Sequence, residues 1–334
     1  MRAKGEGTIE KVKTKAGYRF RIVAQRDGKR VVGPLRLNRA EAIRAFREKV
    51  ASIKPTAEQP LSTFVAANLI HPSFTSLSQT TQALHRANAN GRILNSWIAD
   101  VPISSIDDDL VREWLSEQTG APATVFNALD SLKKFLKFAG VKVDVVAQRK
   151  RLADPWILTE SEQAELLALP MSAVQLLIVE LGLFAGLRRS EIAGLRHEHR
   201  EEDGIRVVQA LVTADGQNYL KSPKTASSRQ WVPLTRHLQG KLGNGKRGFV
   251  LTDSEEPLPP RLVARLFKSA IAGTKFEKLG MHDLRSTCGM RLLESGVDVR
   301  TASEMLRHDP AMLLKVYTKS RKDLKREALK AAFG

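Results

Sequence analysis

The sequence predicts an α+β protein of several domains: a small three-stranded sheet with one helix, then a helical bundle, then a mainly α domain that contains a small antiparallel sheet. Apolar and polar residues alternate near the N-terminus and again between residues 205 and 234, which is the period of β-strands. Elsewhere apolar residues recur at the spacing of amphipathic helices. At 334 residues the chain has room for two or three domains.

The first 54 residues predict a sheet covered by a helix. Three strand-like runs occur at Thr8–Lys13, Tyr18–Ala24 and Arg30–Leu37, and the Asp-Gly pair before the third run is a strong hairpin signal. Asn38 stands at the N-cap position of a helix predicted over Arg39–Ser52. Its apolar residues can cover one face of the sheet.

Most of the excess charge lies in this first segment. Residues 1–54 hold sixteen Lys/Arg and five Asp/Glu, a net +11 of the chain's +18. Such an excess favours a polyanionic partner, of which nucleic acid is the commonest, and we expect double-stranded DNA. A solvated basic face is the alternative. The candidate DNA contacts are Arg19, Arg21, Lys29, Arg30 and Arg36, together with a later basic cluster, Arg149, Lys150 and Arg151.

Residues 55–145 predict a helical module, and residues 146–155 predict a linker that carries the later basic cluster. The apolar spacing within the module is that of core-facing helix stripes. The helices are predicted over Leu61–Leu69, Gln79–Ile98, Asp108–Gln118 and Ala123–Phe138.

Residues 156–334 predict the third domain. The capping-box pair Thr159 and Glu162 opens a helix, and an apolar stretch from Met171 to Gly186 predicts a core helix. We expect Ser190 to cap the next helix, which leaves Arg188 at the junction where its side chain can reach a site. Strand-like runs follow at Ile205–Val208, Asn218–Leu220 and Gln230–Leu234, and a helix at Arg261–Ile271.

Cysteine usage and hydropathy limit which cellular compartment and which cofactors we expect. One cysteine, Cys288, excludes an intrachain disulfide and fits a reducing cytoplasm; we expect it to be buried by packing. The longest apolar stretch contains Glu180 and is too short for a membrane span, so we expect no membrane partner. The closely spaced pair His197 and His199 lacks a zinc spacing, and we expect no metal and no cofactor.

One late stretch, Met281–Lys319, concentrates groups suited to phosphate chemistry. It contains His282, Arg285, His308 and Tyr317. Two imidazoles, a guanidinium and a phenol suit a site that binds a phosphate and attacks it with tyrosine. Each group also has a plainer explanation on its own: His282 as a helix cap, Tyr317 as a core aromatic. Likewise Arg188 and Glu191 could be an ordinary helix ion pair.

Several motifs in a fixed order resemble the tyrosine recombinases of the phage integrase family. They are Ala185–Ile192 (AGLRRSEI), then Lys224-Thr225 before the strand ending in Val232-Pro233-Leu234, then His282-Asp283-Leu284-Arg285, Leu306-Arg307-His308 and Tyr317. The family usually has glycine at the position of Arg307, where glycine can adopt a positive φ.

The resemblance assigns a role to each group. It implies that Arg188 and Arg285 bind the phosphate oxygens, that Tyr317 is the nucleophile and that His282 is its general base. It further implies that His308 donates a hydrogen bond to the phosphate. Lys224 would be the general acid, with Lys221 in the same hairpin as the alternative, and Glu191 would orient the arginine.

The resemblance also implies an architecture and an activity. The domains would be an arm-site DNA-binding domain (1–54), a core-binding domain (55–145), a linker (146–155) and a catalytic domain (156–334) whose C-terminal tail packs on its own domain or on a neighbouring protomer. Such a protein is a site-specific integrase of a phage or other mobile element. It would work as a homotetramer on core and arm DNA sites, through a 3′-phosphotyrosine and a Holliday junction, in the bacterial cytoplasm at the nucleoid.

Two related activities stay open, a Xer/Cre-like resolvase and a type IB topoisomerase-like strand transferase. An integrase of this kind would also have DNA-bending and excision factors among its partners.

Overall fold

The N-terminal sheet is antiparallel with strands in chain order, and it carries one helix. The strands are β1 (Thr8–Thr14), β2 (Gly17–Arg26) and β3 (Lys29–Val32), and the helix is α1 (Arg39–Ser52). Asn38 caps α1 as predicted, because its side-chain oxygen accepts from the Glu41 amide at 2.9 Å. The third strand is shorter than predicted, with a single further bridge between Phe20 and Arg36.

The structure is a computed structural model of the full chain. It describes residues 8–14, 17–26, 29–52, 58–147, 154–222, 230–243, 245–307, 309–311, 313–314 and 333, without the side chains of residues 25, 26, 29, 47, 49–52 and 230. The chain forms two compact units, Met1–Arg151 and Leu152–Gly334, and the mixed α+β class is confirmed. The finer division into four parts stays a prediction.

The rest of the first unit is helical. Its helices are α2 (Leu61–Asn68), α3 (Pro72–Thr75), α4 (Gln79–Asn88), α5 (Asp108–Ser116) and α6 (Pro122–Phe138). The single helix predicted over Gln79–Ile98 is wrong beyond Asn88, where a π turn (Ala89–Ile93) follows. The buried Asn88 amide donates to the Asn127 carbonyl at 3.0 Å and to the Ser131 hydroxyl at 2.8 Å, which ties the break to α6.

The second unit surrounds a larger core with helices and two small sheets. Its helices are α7 (Glu160–Leu167), α8 (Ala173–Phe184), α9 (Arg189–Gly194), α10 (Arg236–Leu242), α11 (Pro260–Ile271), α12 (Met281–Glu294) and α13 (Val299–Leu306). Its strands are β4 (Arg200–Glu201), β5 (Gly204–Val207), β6 (Ala210–Ala214), β7 (Gln217–Lys221) and β8 (Gln230–Pro233). The single predicted sheet is two, β4-β5-β8 and the hairpin β6-β7.

A sharp connection between α8 and α9 brings the first arginine to the surface of this core. Gly186 has a φ of 58°, and a Cβ there would lie 2.3 Å from Leu306 Cδ2. Glycine is therefore required both by the backbone and by the approach of α13. The N-cap of α9 is Arg188, so the predicted cap at Ser190 is wrong.

Helix α12 packs along α8 and carries the second arginine. Leu284 fills the space above Gly182, and Gly289 leaves room for Leu306 and Leu313. Cys288 is buried, as predicted, and burial raises its thiol pKa to about 11. The core thereby fixes α8, α12 and α13 against one another.

None of the helices among the described residues has the length and apolarity that a membrane crossing requires.

The Gly186 connection can be tested by stability. We expect Gly186→Ala to lower the free energy of unfolding by at least about 2 kcal/mol, because a positive φ and a steric overlap with Leu306 add together. Gly240→Ala is the matched control: Gly240 lies in α10 with open space around its Cα, so alanine should be neutral or stabilising by about 0.5–1 kcal/mol. Urea denaturation of both variants makes the comparison, and equal effects would contradict it.

Candidate functional site

The first part of the site is a short-range pair at the start of α9. Arg188 Nη1 donates to Glu191 Oε1 at 2.7 Å, and the Arg188 amide donates to Glu191 Oε2 at 2.9 Å. Glu191 thus caps the helix that Arg188 precedes. The Arg188 side chain remains 40% exposed whereas that of Glu191 is 9% exposed, so the arginine can still meet a ligand from solvent.

The second arginine reaches the same place from α12. Arg285 has a side chain only 2% exposed. Its Nη1 donates to the Gly186 carbonyl at 2.6 Å, its Nη2 donates to the Leu306 carbonyl, and Nη1 lies 3.9 Å from Glu191 Oε2. Burial, and then the charge of Arg188, lower the pKa of Arg285 to about 9, which leaves it a cation at neutral pH.

A third arginine, for which no role was predicted, completes the cluster. Arg307 Nη2 donates to Glu191 Oε2 at 2.7 Å, and its side chain is 4% exposed. Its carbonyl oxygen accepts from Arg188 Nη2 at 2.8 Å. The only feature of the sequence that singles out Arg307 is that it stands where the family that the sequence resembles usually has glycine.

We call Arg188, Glu191, Arg285 and Arg307 the arginine cluster. Burial raises the pKa of Glu191, but the charge of Arg307, the amide of Arg188 and the hydrogen bond from Arg307 outweigh it and leave the pKa below its ordinary value. Glu191 is therefore ionised, and three guanidinium groups share one carboxylate. The cluster has a net charge of +2 and suits an anion with several oxygens, such as a phosphodiester.

The histidine of the predicted site lies at the start of α12, where its side chain meets solvent. Desolvation lowers the pKa of His282, the charges of Arg285 and Arg188 lower it further, and Asp283 opposes them. The imidazole is thus held neutral around pH 7, the form in which it can accept a proton.

Three predicted catalytic residues, Lys224, His308 and Tyr317, lie outside the described residues. Their surroundings are described in part. Lys221 ends β7, three residues before Lys224. Asp309, the residue after His308, accepts from the Ala311 amide at 2.8 Å. The structure therefore brings together Arg188, Glu191 and Arg285 of the predicted set.

The predicted DNA contacts belong to the first unit. Arg21 and Arg30 both pair with Glu10, at 2.8 and 3.3 Å, so part of their charge is compensated. Arg36 is exposed, and Arg19 donates to the neighbouring Tyr18 carbonyl. The side chain of Lys29 and all of Arg149, Lys150 and Arg151 lie outside the described parts.

Known proteins are similar to this chain in sequence. The sequence profile of the Phage integrase family matches residues 157–323. The tyrosine recombinase XerD of Lacticaseibacillus casei is 28% identical over 268 residues, covering 72% of this chain and 88% of that protein. The tyrosine recombinase XerC of Mycobacterium leprae (strain TN) is 25% identical over 241 residues, covering 63% of this chain and 77% of the relative.

Solved structures share the fold. The Tn1549 transposon integrase in complex with transposon right end DNA aligns at a TM-score of 0.64 and 18% identity, covering 82% of this chain and 99% of that one. A lambda integrase tetramer bound to a Holliday junction aligns at 0.56 and 17% identity, covering 90% of this chain and 95% of that one.

The electrostatics of the site can be tested at His282. We expect its imidazole to titrate below the ordinary value of about 6.5 in the folded protein and near that value in urea, because desolvation and two arginines act only in the native state. NMR titration of the His282 ring protons, assigned with His282→Gln, measures both midpoints. Since the lowered pKa leaves the unfolded state with more bound protons, stability should fall as the pH drops below about 6.5. A native midpoint at or above the urea value would contradict this.

Proposed function

This chain belongs to the phage integrase family of tyrosine recombinases, whose profile matches half of its length, and is a tyrosine-type DNA strand transferase. We propose that it is a site-specific integrase, which cleaves and rejoins DNA at attachment sites to integrate or excise a mobile element. The observation that carries this proposal is the arginine cluster, in which Arg188 and Arg285 are held by Glu191 at the edge of a buried core.

The cluster suits transfer of a phosphodiester. In the proposed step the Tyr317 oxygen forms a bond to phosphorus, and the bond from phosphorus to the 5′ oxygen of the DNA breaks. Negative charge grows on the non-bridging oxygens, where Arg188 and Arg285 would stabilise it. The number of phosphodiester bonds stays constant, so the 3′-phosphotyrosine retains what the reverse step needs to rejoin the strands.

Proton transfer would be divided between two residues. The phenol of Tyr317 has an ordinary pKa near 10, so its attack needs a base. His282 fits this role, because its lowered pKa keeps it neutral. Lys224, or Lys221 at the end of β7, would protonate the departing 5′ oxygen. His308 would donate a hydrogen bond to the phosphate.

The assembly we propose is a homotetramer on DNA. Solved relatives of the same fold include an integrase bound to transposon end DNA and a lambda integrase tetramer on a Holliday junction. The basic N-terminal sheet would bind arm sites, the helical module and the second unit would bind the core site, and DNA-bending and excision factors would act as partners.

A plain resolvase is the second candidate, favoured by the likeness to tyrosine recombinase XerD. An arm-binding role for the basic sheet distinguishes the two. An integrase should need the N-terminal sheet for recombination, whereas a resolvase should not.

The nucleophile is tested by covalent capture. With a nicked duplex carrying the DNA that flanks this gene, we expect the wild type to form an SDS-resistant protein–DNA complex. Tyr317→Phe should form none, because phenylalanine has no oxygen to attack phosphorus, and should still bind the duplex in a gel-shift assay. Tyr219→Phe is the matched control and should retain cleavage. A covalent complex with Tyr317→Phe would falsify the assignment.

The role of the basic sheet is tested by its exposed arginines. Arg30→Gln/Arg36→Gln should lower recombination on DNA with long flanks and reduce the slope of log affinity against log salt by up to about 2, since each phosphate contact contributes about 0.9. Arg112→Gln, whose charge two aspartates already offset, should change neither. If the double variant recombines like the wild type, the resolvase interpretation gains and the arm-site interpretation fails.

A further inference from the structure

Arg307 adopts a backbone conformation that is sterically unfavourable for arginine. It ends α13 in the left-handed region, with φ 53° and ψ 50°. Glycine adopts this conformation without the steric penalty of a Cβ. A purely structural need for the turn would therefore be better met by glycine. An interaction of the side chain must therefore offset the steric cost of the left-handed backbone.

The side chain is buried in an ionic contact with the site. It is 4% exposed and donates to Glu191 Oε2 at 2.7 Å and to the Met305 carbonyl at 3.0 Å. Its Nε is buried without a hydrogen-bond partner among the described residues, as is the Nε of Arg285. Because the guanidinium is buried and contacts Glu191, Arg307 can act on the site through that carboxylate.

The charges of the cluster show what Arg307 changes. With Arg188, Arg285 and Glu191 alone, the carboxylate would offset one of the two phosphate-binding arginines and leave a net charge of +1. Arg307 adds the cation that offsets Glu191, so the net charge is +2. A phosphodiester carries one negative charge, and the five-coordinate transition state formed from it and a tyrosinate carries two. The extra charge therefore matches the transition state better than the ground state.

We propose that Arg307 is a positioning residue for strand transfer, which compensates Glu191 so that Arg188 and Arg285 both act on the phosphate as uncompensated cations. Its left-handed backbone contributes a second effect, because it directs the Arg307 carbonyl to Arg188 Nη2 at 2.8 Å and restrains that guanidinium. The inference rests on the proposed function, since it assigns Arg307 to the same reaction.

The first test needs no cleavage. We would measure the dissociation constant of the full-length protein for inorganic phosphate from the shift in melting temperature, at an ionic strength held constant with chloride. Arg307→Met removes the charge but keeps an unbranched side chain, and methionine has the same steric cost as arginine in the left-handed backbone. Loss of the charge should therefore weaken phosphate binding about tenfold. Glu191→Gln/Arg307→Met returns the net charge to +2 and should recover binding to within about twofold of the wild type.

The second test measures the chemical step. Single-turnover formation of the covalent complex should slow about 10²-fold in Arg307→Met, with duplex affinity lowered by no more than about tenfold, and should recover at least about tenfold in the double variant. Arg307→Lys, which keeps the charge, should stay within about tenfold of the wild-type rate. The Arg307→Lys variant also tests the proposal if the double variant does not fold.

The outcomes separate the two proposals. A double variant no better than Arg307→Met, or a lysine variant as slow as the methionine variant, overturns the charge-compensating role, because a merely structural residue would behave that way. Absence of a phosphate-dependent shift in the wild type also overturns it. If phosphate binding follows the predicted pattern while the wild type forms no covalent complex on any duplex, the compensation of Glu191 by Arg307 stands and the proposed integrase function fails.

Discussion

The second unit depends on one buried carboxylate. Glu191 accepts from the Arg188 amide, the Arg188 guanidinium and the Arg307 guanidinium, and lies 3.9 Å from Arg285 Nη1. A buried charge is tolerated only when it is paired and hydrogen-bonded. Each of these groups therefore limits where the others can lie, and the start of α9 is fixed to the end of α13.

This constraint links the fold to the chemistry. Gly186 permits the turn that places Arg188, and its carbonyl receives Arg285 from α12. Arg285 also donates to the Leu306 carbonyl, and Arg188 donates to the Arg307 carbonyl. Both arginines therefore hold the end of α13. The cations are oriented by the folded core before any ligand arrives, and preorganised charge is the form of electrostatic stabilisation that costs no rearrangement during the reaction. Tyr317 follows α13 by eleven positions in the chain.

Local patterns predicted most of the elements but not the contacts between them. The three-residue spacing of Arg188 and Glu191 and the junction at Gly186 follow from the sequence alone. The break after Asn88 does not, because it depends on a buried amide bonded to a helix 39 residues away. Arg307 is the sharpest case: glycine's absence suggested an unusual backbone, yet the partner that explains it, Glu191, is 116 residues distant. Such long-range pairing of charges leaves no periodicity to detect.

If Glu191 is a buried, fully engaged anion, its replacement by glutamine must destabilise the fold, which urea denaturation of Glu191→Gln measures. We expect a loss of about 3–5 kcal/mol in the free energy of unfolding, because the buried guanidinium groups lose their counterion. Glu304→Gln is the control: its pair with Arg300 is exposed at 61% and 86%, and its loss should cost at most about 0.5 kcal/mol. A Glu191→Gln protein as stable as the Glu304→Gln control would mean that this carboxylate does not hold the arginines in place.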